Sequence, residues 1–238
     1  MTAHHASGAE RSAAESDRAE RILAAAHELL LSWGYKRVTI DDIARHARVG
    51  KGTVYLHWKT KEQLFTTLLQ RECATQLDDL IDGIRRDPTL ALPHNLFRDL
   101  FLGRRRNPLA RAIHEGNSEV LGALAVAPNG QPVTEVLGVP TTLADLVATL
   151  RRHRLLVDDG PESDQVYAID AIITGFFLGG NAVSPEHTPD PARQADLLAT
   201  AIHRTFEPET APDTGTSAAA ARAVIADLDR ARDRLTGE

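Results

Sequence analysis

Lys51, Gly52, Thr53, Tyr55 and Leu56 set five different chemical surfaces around one apolar residue, Val54. Val54 completes an apolar stripe with Ile43, Ala44 and Val49, so it faces inward and its neighbours face out. An outward ammonium at Lys51 can donate to guanine O6 and N7 or to a phosphate, and Thr53 or Leu56 can touch a thymine methyl. Gly52 permits a close approach of backbone to a partner. The chemistry on offer is contact with phosphates and base edges.

Such a surface needs short helices held firmly, and the flanking sequence supplies them. Ile22, Ala25, Ala26, Leu29, Leu30 and Trp33 recur at helical spacing, and Gly34 follows where a left-handed cap is wanted. Thr39 with Asp42 three residues on is a carboxylate form of the capping box, opening a two-turn helix that carries Ile43, Ala44 and Ala47 inward. A second short helix runs from Lys51 to about His57. Thr60 and Gln63 form another capping box, opening a long helix through Leu64, Leu68 and Leu69 towards Ile81. Two short helices joined by a tight turn and braced by longer ones make a helix-turn-helix, whose second helix can enter a major groove. Thr39 and the helix start after Thr60 can add amide contacts to phosphates, and Arg45 and Arg48 are further candidates for base or backbone contact.

Charge follows the same division. The chain carries 27 basic and 33 acidic residues for a net charge of −6. Residues 17–61 hold nine basic and five acidic side chains, a net +4, which leaves 18 against 28, or −10, for the rest. The pattern is that of a basic reading head on an acidic body.

The run Ile22-Leu23-Ala24-Ala25-Ala26, then Gly34-Tyr35, Val38-Thr39-Ile40, Ile43-Ala44, and Val49 through Trp58 followed by Lys61-Glu62 and Leu64, resembles the DNA-binding domain of the tetracycline-repressor (TetR) family. By that resemblance Tyr55, His57 and Lys61 correspond to phosphate-contacting positions, and the remainder is a helical dimerising, effector-binding domain. Two departures stand out. Arg48 occupies a turn position where the family commonly has Gly, so a positive φ there would carry strain, and Gly50 replaces a small polar residue. Asp41 sits on the exposed side of the first short helix, where its charge would oppose a phosphate.

The rest of the chain reads as helices over about 90–103, 107–115, 118–126, 141–156, 164–182 and 190–206, with a loop over 127–140 and an extra amphipathic helix over 217–235. Along 164–182, Ala168, Ala171, Gly175, Gly179 and Ala182 form a small stripe that the reading assigns to a homodimer seam. Family members usually dimerise through their last two core helices, here 164–182 and 190–206. Ile169, Ile172, Ile173 and Phe176 form a bulky core face. Tyr167, Asp170, Thr174, Phe177 and Asn181 form a third face, of which the first four are assigned with Phe97, Phe101 and His114 to an effector pocket. Asp170 would suit a cationic or hydrogen-bonding effector, the alternative being a salt bridge or solvent contact.

These features describe an all-α protein in four parts: a disordered extension over 1–15, a helix-turn-helix domain over 16–62, a dimerisation and effector domain over 63–207, and a linker with a further helix over 208–238. Aromatic residues make up only 5% of the chain, which argues against an all-β fold. One cysteine, Cys73, precludes an internal disulfide and suits a reducing compartment. The scattered histidines show no metal-ligand spacing, no cofactor motif appears, and no stretch has the length and polarity of a membrane span or signal peptide, so the expected location is cytoplasmic. The function expected is a ligand-responsive DNA-binding regulator, most simply a repressor acting as a homodimer on a palindromic operator. The rivals are an enzyme or small-molecule binder with an incidental helix-turn-helix, which lacks a catalytic signature, and a DNA-binding protein without effector.

Overall fold

The computed structural model describes residues 3–127, 130–210 and 212–237. Helices account for nearly all regular structure: α1 (Ala3–Trp33), α2 (Ile40–His46), α3 (Lys51–His57), α4 (Lys61–Arg86), α5 (Pro93–Arg106), α6 (Pro108–Glu115), α7 (Ser118–Leu121), α8 (Val133–Val136), α9 (Val139–Arg152), α10 (Glu162–Ala182), α11 (Pro191–Phe206) and α12 (Thr214–Thr236). Three short 3-10 turns join them, and no sheet forms among the described residues.

The chain divides into two compact units, Met1–Leu69 with Gly116–Asn129, and Gln70–Glu115 with Gly130–Glu238. The division falls inside α4 rather than at residue 62, and it gives the first unit a segment from mid-chain. The stretch over 3–15, expected to be disordered, continues α1, in keeping with its alanine content and alanine's high helix propensity. Loop 127–140 contains the single turn α8, and the helix expected over 118–126 is α7 followed by a 3-10 turn at Gly122–Ala125.

In the first unit the predicted α1 face is buried from Ile22 to Leu30, but Trp33 at its end is 43% exposed. Gly34 accounts for this: it caps the helix at φ +73 and donates to the Leu30 carbonyl at 2.9 Å, so the chain turns before Trp33 meets the core. The mid-chain segment docks on that turn. Tyr35 N donates to Val120 O at 2.8 Å, and a Cβ on Gly34 would lie 2.2 Å from the Glu119 carbonyl oxygen, a contact only glycine allows.

In the second unit α5 packs along α11, and one core joins Phe97 and Phe101 with Leu146, Leu150, Ile169, Ile173, Phe177, Leu198 and Ile202. The terminal helix lies against its own unit, packed on α9 and the turn Pro88–Ala91, with Val224 and Leu228 fully buried. The core side of α10 is Ile169, Ile173 and Phe177. It is rotated from the expected bulky face, because Phe177 enters the core while Ile172 and Phe176 stay half-buried. Four-residue spacing generates both faces, and only neighbouring helices decide between them.

Candidate nucleic-acid interface and ligand cavity

The local signals around α2 act as read. The Thr39 hydroxyl accepts from Asp42 N at 3.2 Å and donates to Asp42 Oδ2 at 2.6 Å, while Thr39 N donates to the same oxygen at 3.1 Å, closing the capping box in both directions. The hydroxyl bond, foremost, holds the Asp42 carboxyl below its usual range. At α4 the box is incomplete: Gln63 N donates to Thr60 Oγ1 at 3.0 Å, but the Gln63 side chain accepts from Lys59 N instead of from Thr60. Between α2 and α3, Arg48 adopts φ +55 in a turn that returns Val49 N to the Ala44 carbonyl at 2.9 Å.

Val54 is fully buried with Ile43 and Ala44 nearby in the core, so α3 turns its other faces outward. Lys51, Gly52 and Tyr55 are exposed, Thr53 and His57 half-buried, and Leu56 is 77% exposed, a degree that nothing within the unit accounts for. Asp41 and Lys51 are paired: Lys51 Nζ donates to Asp41 Oδ2 at 2.9 Å, and that bond raises the ammonium pKa. The carboxylate expected to oppose phosphate thus meets the neighbouring cation. Arg45 is exposed and ion-paired with Asp42, and Arg48 is exposed. Lys61 differs from the others, since its Nζ donates to the Tyr35 carbonyl at 2.5 Å and lies over the Tyr35 ring. Burial lowers its pKa.

The second unit contains a cavity of about 80 Å³ among α4, α5, α6, α9, α10 and α12. Of the expected pocket residues, Phe97, His114, Asp170 and Thr174 line it. Phe101 and Phe177 form the core behind, their rings 4.9 Å apart, with the His114 ring 5.1 Å from Phe177. Tyr167 is 76% exposed and takes no part, because it lies on the solvent side of α10. Sequence reasoning missed Cys73, Gln76, Arg104 and Thr142 on the wall, and Leu228 and Leu235 from α12. The spacing of Phe97, Phe101 and Arg104 at i, i+4 and i+7 would have placed Arg104 beside the two aromatics.

Enclosure shapes the chemistry of this wall. Burial, then the Arg104 charge, pushes His114 down to about 3, so its imidazole is neutral, with Nδ1 against the Ala110 carbonyl at 3.0 Å. Burial pushes the Cys73 thiol up to about 11 and draws the Arg104 guanidinium down to about 10. Gln76 Nε2 and His114 Nε2 are buried without a hydrogen-bond partner. On another face, Ala171, Gly175 and Gly179 line an open apolar groove of about 400 Å³ with Phe176, Leu197 and Ala201. Ala168 instead packs half-buried against the core, while the Ala182 side chain lies outside the described residues.

Two of the scattered histidines do meet. His94 and His203 both hydrogen-bond to Glu207 through Nδ1, at 2.9 and 2.8 Å to Oε2, and His94 N donates to Glu207 Oε1 at 2.7 Å. Burial opposes ionisation of Glu207, but the bonds from His94 and His203 outweigh it and hold the carboxyl below its usual range. Three side chains that lie up to 113 residues apart are brought together here.

Residues 22–68 match the family of bacterial regulatory proteins described as the tetR family. The HTH-type transcriptional regulator YhgD of Bacillus subtilis is 38% identical over 169 residues, covering 68% of this chain and 78% of the relative. The DNA-binding transcriptional repressor TetR of Mycobacteroides abscessus is 32% identical over 95 residues, 35% of this chain and 50% of the relative's length. Among solved structures, NalD of Pseudomonas aeruginosa, the secondary repressor of the MexAB-OprM efflux pump, aligns with a TM-score of 0.56 at 22% identity, over 82% of this chain and 98% of its own. That likeness extends the similarity in fold beyond the helix-turn-helix.

Proposed function

Because this chain belongs to the tetR family of bacterial transcriptional regulators, we propose that it acts as a homodimeric repressor that binds a palindromic operator and releases it when a small molecule enters the cavity of the second unit. The observation that carries the DNA-binding part is the outward face of α3. Leu56, Tyr55 and Lys51 stand exposed on a helix anchored by Val54, offering an apolar contact, a phenol and an ammonium from one short surface. Thr39, Arg45, Arg48, Gly52, Thr53 and His57 complete the interface, Thr39 and His57 through phosphates.

The dimer seam is the groove along α10 and α11. A Cβ on Gly175 or Gly179 would meet nothing within 4 Å among the described residues, so packing within the chain gives no reason for either glycine. A Gly in a helix interior costs about 1 kcal/mol relative to Ala. A closely approaching second copy supplies the reason, with Ala171 beside the two glycines in the same groove. The cavity favours an effector-responsive protein over an effector-free one. The effector acts by binding the operator-competent and released arrangements with unequal affinity.

The experiment is selection of bound fragments from a genomic DNA library by the purified protein, repeated with a Lys51→Ala, Tyr55→Ala variant. A palindromic site that the variant fails to retain supports the reading. Weak retention blind to sequence, equal for parent and variant, rejects it.

A further inference from the structure

The cavity wall carries a cation that the protein leaves unanswered. Arg104 lies half-buried on the wall of the cavity, and its guanidinium makes no hydrogen bond or ion pair with any described residue. A guanidinium has five N–H donors in a planar fork and stays charged at physiological pH. Charges enclosed in protein are ordinarily paired, since a desolvated and unmet charge is costly. Asp170 shares the wall, but it lies beyond ion-pair distance and is itself exposed to water. Cys73 and His114 are the other titratable wall groups, and both are neutral.

Two more polar atoms on the wall are also unmet. Gln76 Nε2 is a buried donor without an acceptor. His114 carries its proton on Nδ1, which faces the Ala110 carbonyl, so its buried Nε2 is an open acceptor. Between these polar points the wall is apolar, from Leu77, Leu100, Leu143 and Leu146. A donor fork, one further donor and one acceptor around an oily space describe the partner: a carboxylate on an apolar body, with a hydroxyl at its far side. The small volume asks for a compact one.

We propose that the cavity takes a small amphipathic carboxylic acid, its carboxylate held in a bidentate pair by Arg104 and a hydroxyl donating to His114 Nε2. This rests on the effector reading of the cavity and names the effector's class. Of the cationic or hydrogen-bonding effector that Asp170 alone suggested, it keeps only the hydrogen-bonding alternative.

The test is calorimetric titration of the full chain with benzoate, 4-hydroxybenzoate, benzamide and benzylamine, which share one ring and differ in head group. Both acids should bind, the hydroxylated one more tightly, with benzamide and benzylamine at least about tenfold weaker, as expected of a lost charge-assisted pair. Arg104→Gln should remove the preference for benzoate over benzamide, and Asp170→Asn should strengthen both acids. Two substitutions moving affinity in opposite directions cannot both be explained by damaged folding. Benzamide or benzylamine binding as well as benzoate, acids unaffected by both variants, or no binding of either acid at millimolar concentration overturns the assignment. Operator release is measured in parallel. Acids that bind in this pattern without changing DNA affinity reject the effector reading but leave the carboxylate site standing, and DNA release by the amine or amide does the reverse.

Discussion

Lys61 Nζ donates to the Tyr35 carbonyl at 2.5 Å while lying 4.0 Å from the centre of the Tyr35 ring, and that ring meets Phe65 edge-on at 5.3 Å. The ammonium therefore braces the α1–α2 connection to the first turn of α4, where the family resemblance implied a phosphate contact. Lys61→Ala is expected to lower unfolding free energy by about 1–2 kcal/mol, from a charged hydrogen bond and a cation–π contact. It should leave the salt dependence of DNA binding unchanged. Denaturant unfolding and DNA titration at several ionic strengths check this; an unchanged midpoint with a shallower salt slope returns Lys61 to the phosphates.

Lys51 gives the contrasting case. Lys51→Ala should weaken DNA binding and flatten the dependence of log K on log salt by about 0.9 if the ammonium meets a phosphate. Asp41→Asn frees that ammonium from its 2.9 Å partner and should tighten binding. The same titrations read both, and an Asp41→Asn protein that binds DNA less well contradicts the arrangement.

Arg48 holds φ +55, a left-handed conformation that glycine adopts without strain. Arg48→Gly is expected to raise stability by up to about 1 kcal/mol. Because the substitution also removes an exposed cation, DNA affinity should fall as stability rises. Thermal unfolding beside DNA titration separates the two effects, and a destabilised variant refutes the strain argument.

The neutral His114 imposes a pH dependence of definite sign. Its folded pKa, about 3, lies below the unfolded value of 6.5, so its contribution is fully present above about 6.5 and is lost as pH falls towards 3. Across that window each pH unit should remove up to about 1.4 kcal/mol. Glu207, also held below its unfolded value, adds a loss of the same sign only in the more acidic range. Urea unfolding across the window should show a shallower slope for His114→Phe than for the parent, and parallel slopes exclude the assignment.

With the seam proposed above, Gly175→Leu should convert a dimer to monomer by filling the groove that α10 and α11 leave open. Sedimentation velocity reads the change directly. A variant that still sediments as a dimer places the seam elsewhere.

How far the sequence could be read depended on the range of the signal. Thr39 with Asp42 and Gly34 are local devices that act within a turn or two, and the end of α1 and the start of α2 followed from them. Helical spacing puts Phe177 and Tyr167 on one face, yet one is buried in the core and the other is bathed in solvent. Helical periodicity ranks faces but does not say which neighbour each will meet. Arg104 was hidden in the run Arg104-Arg105-Arg106, which reads as a solvated helix end. His94 and Glu207 are 113 residues apart, and no spacing rule reaches across that gap.

The fit of Glu119 against Gly34 bears on how this protein can be taken apart. The first unit is not a contiguous stretch, because Gly116–Asn129 belongs to it and supplies Leu121 and Leu124 to its buried residues. Grafting residues 1–69 onto another body would leave that patch behind and bare the surface it covers. A recombinant exchange of specificities must therefore carry two segments of chain together, and the position of crossover points in any chimera is constrained by a single residue without a side chain.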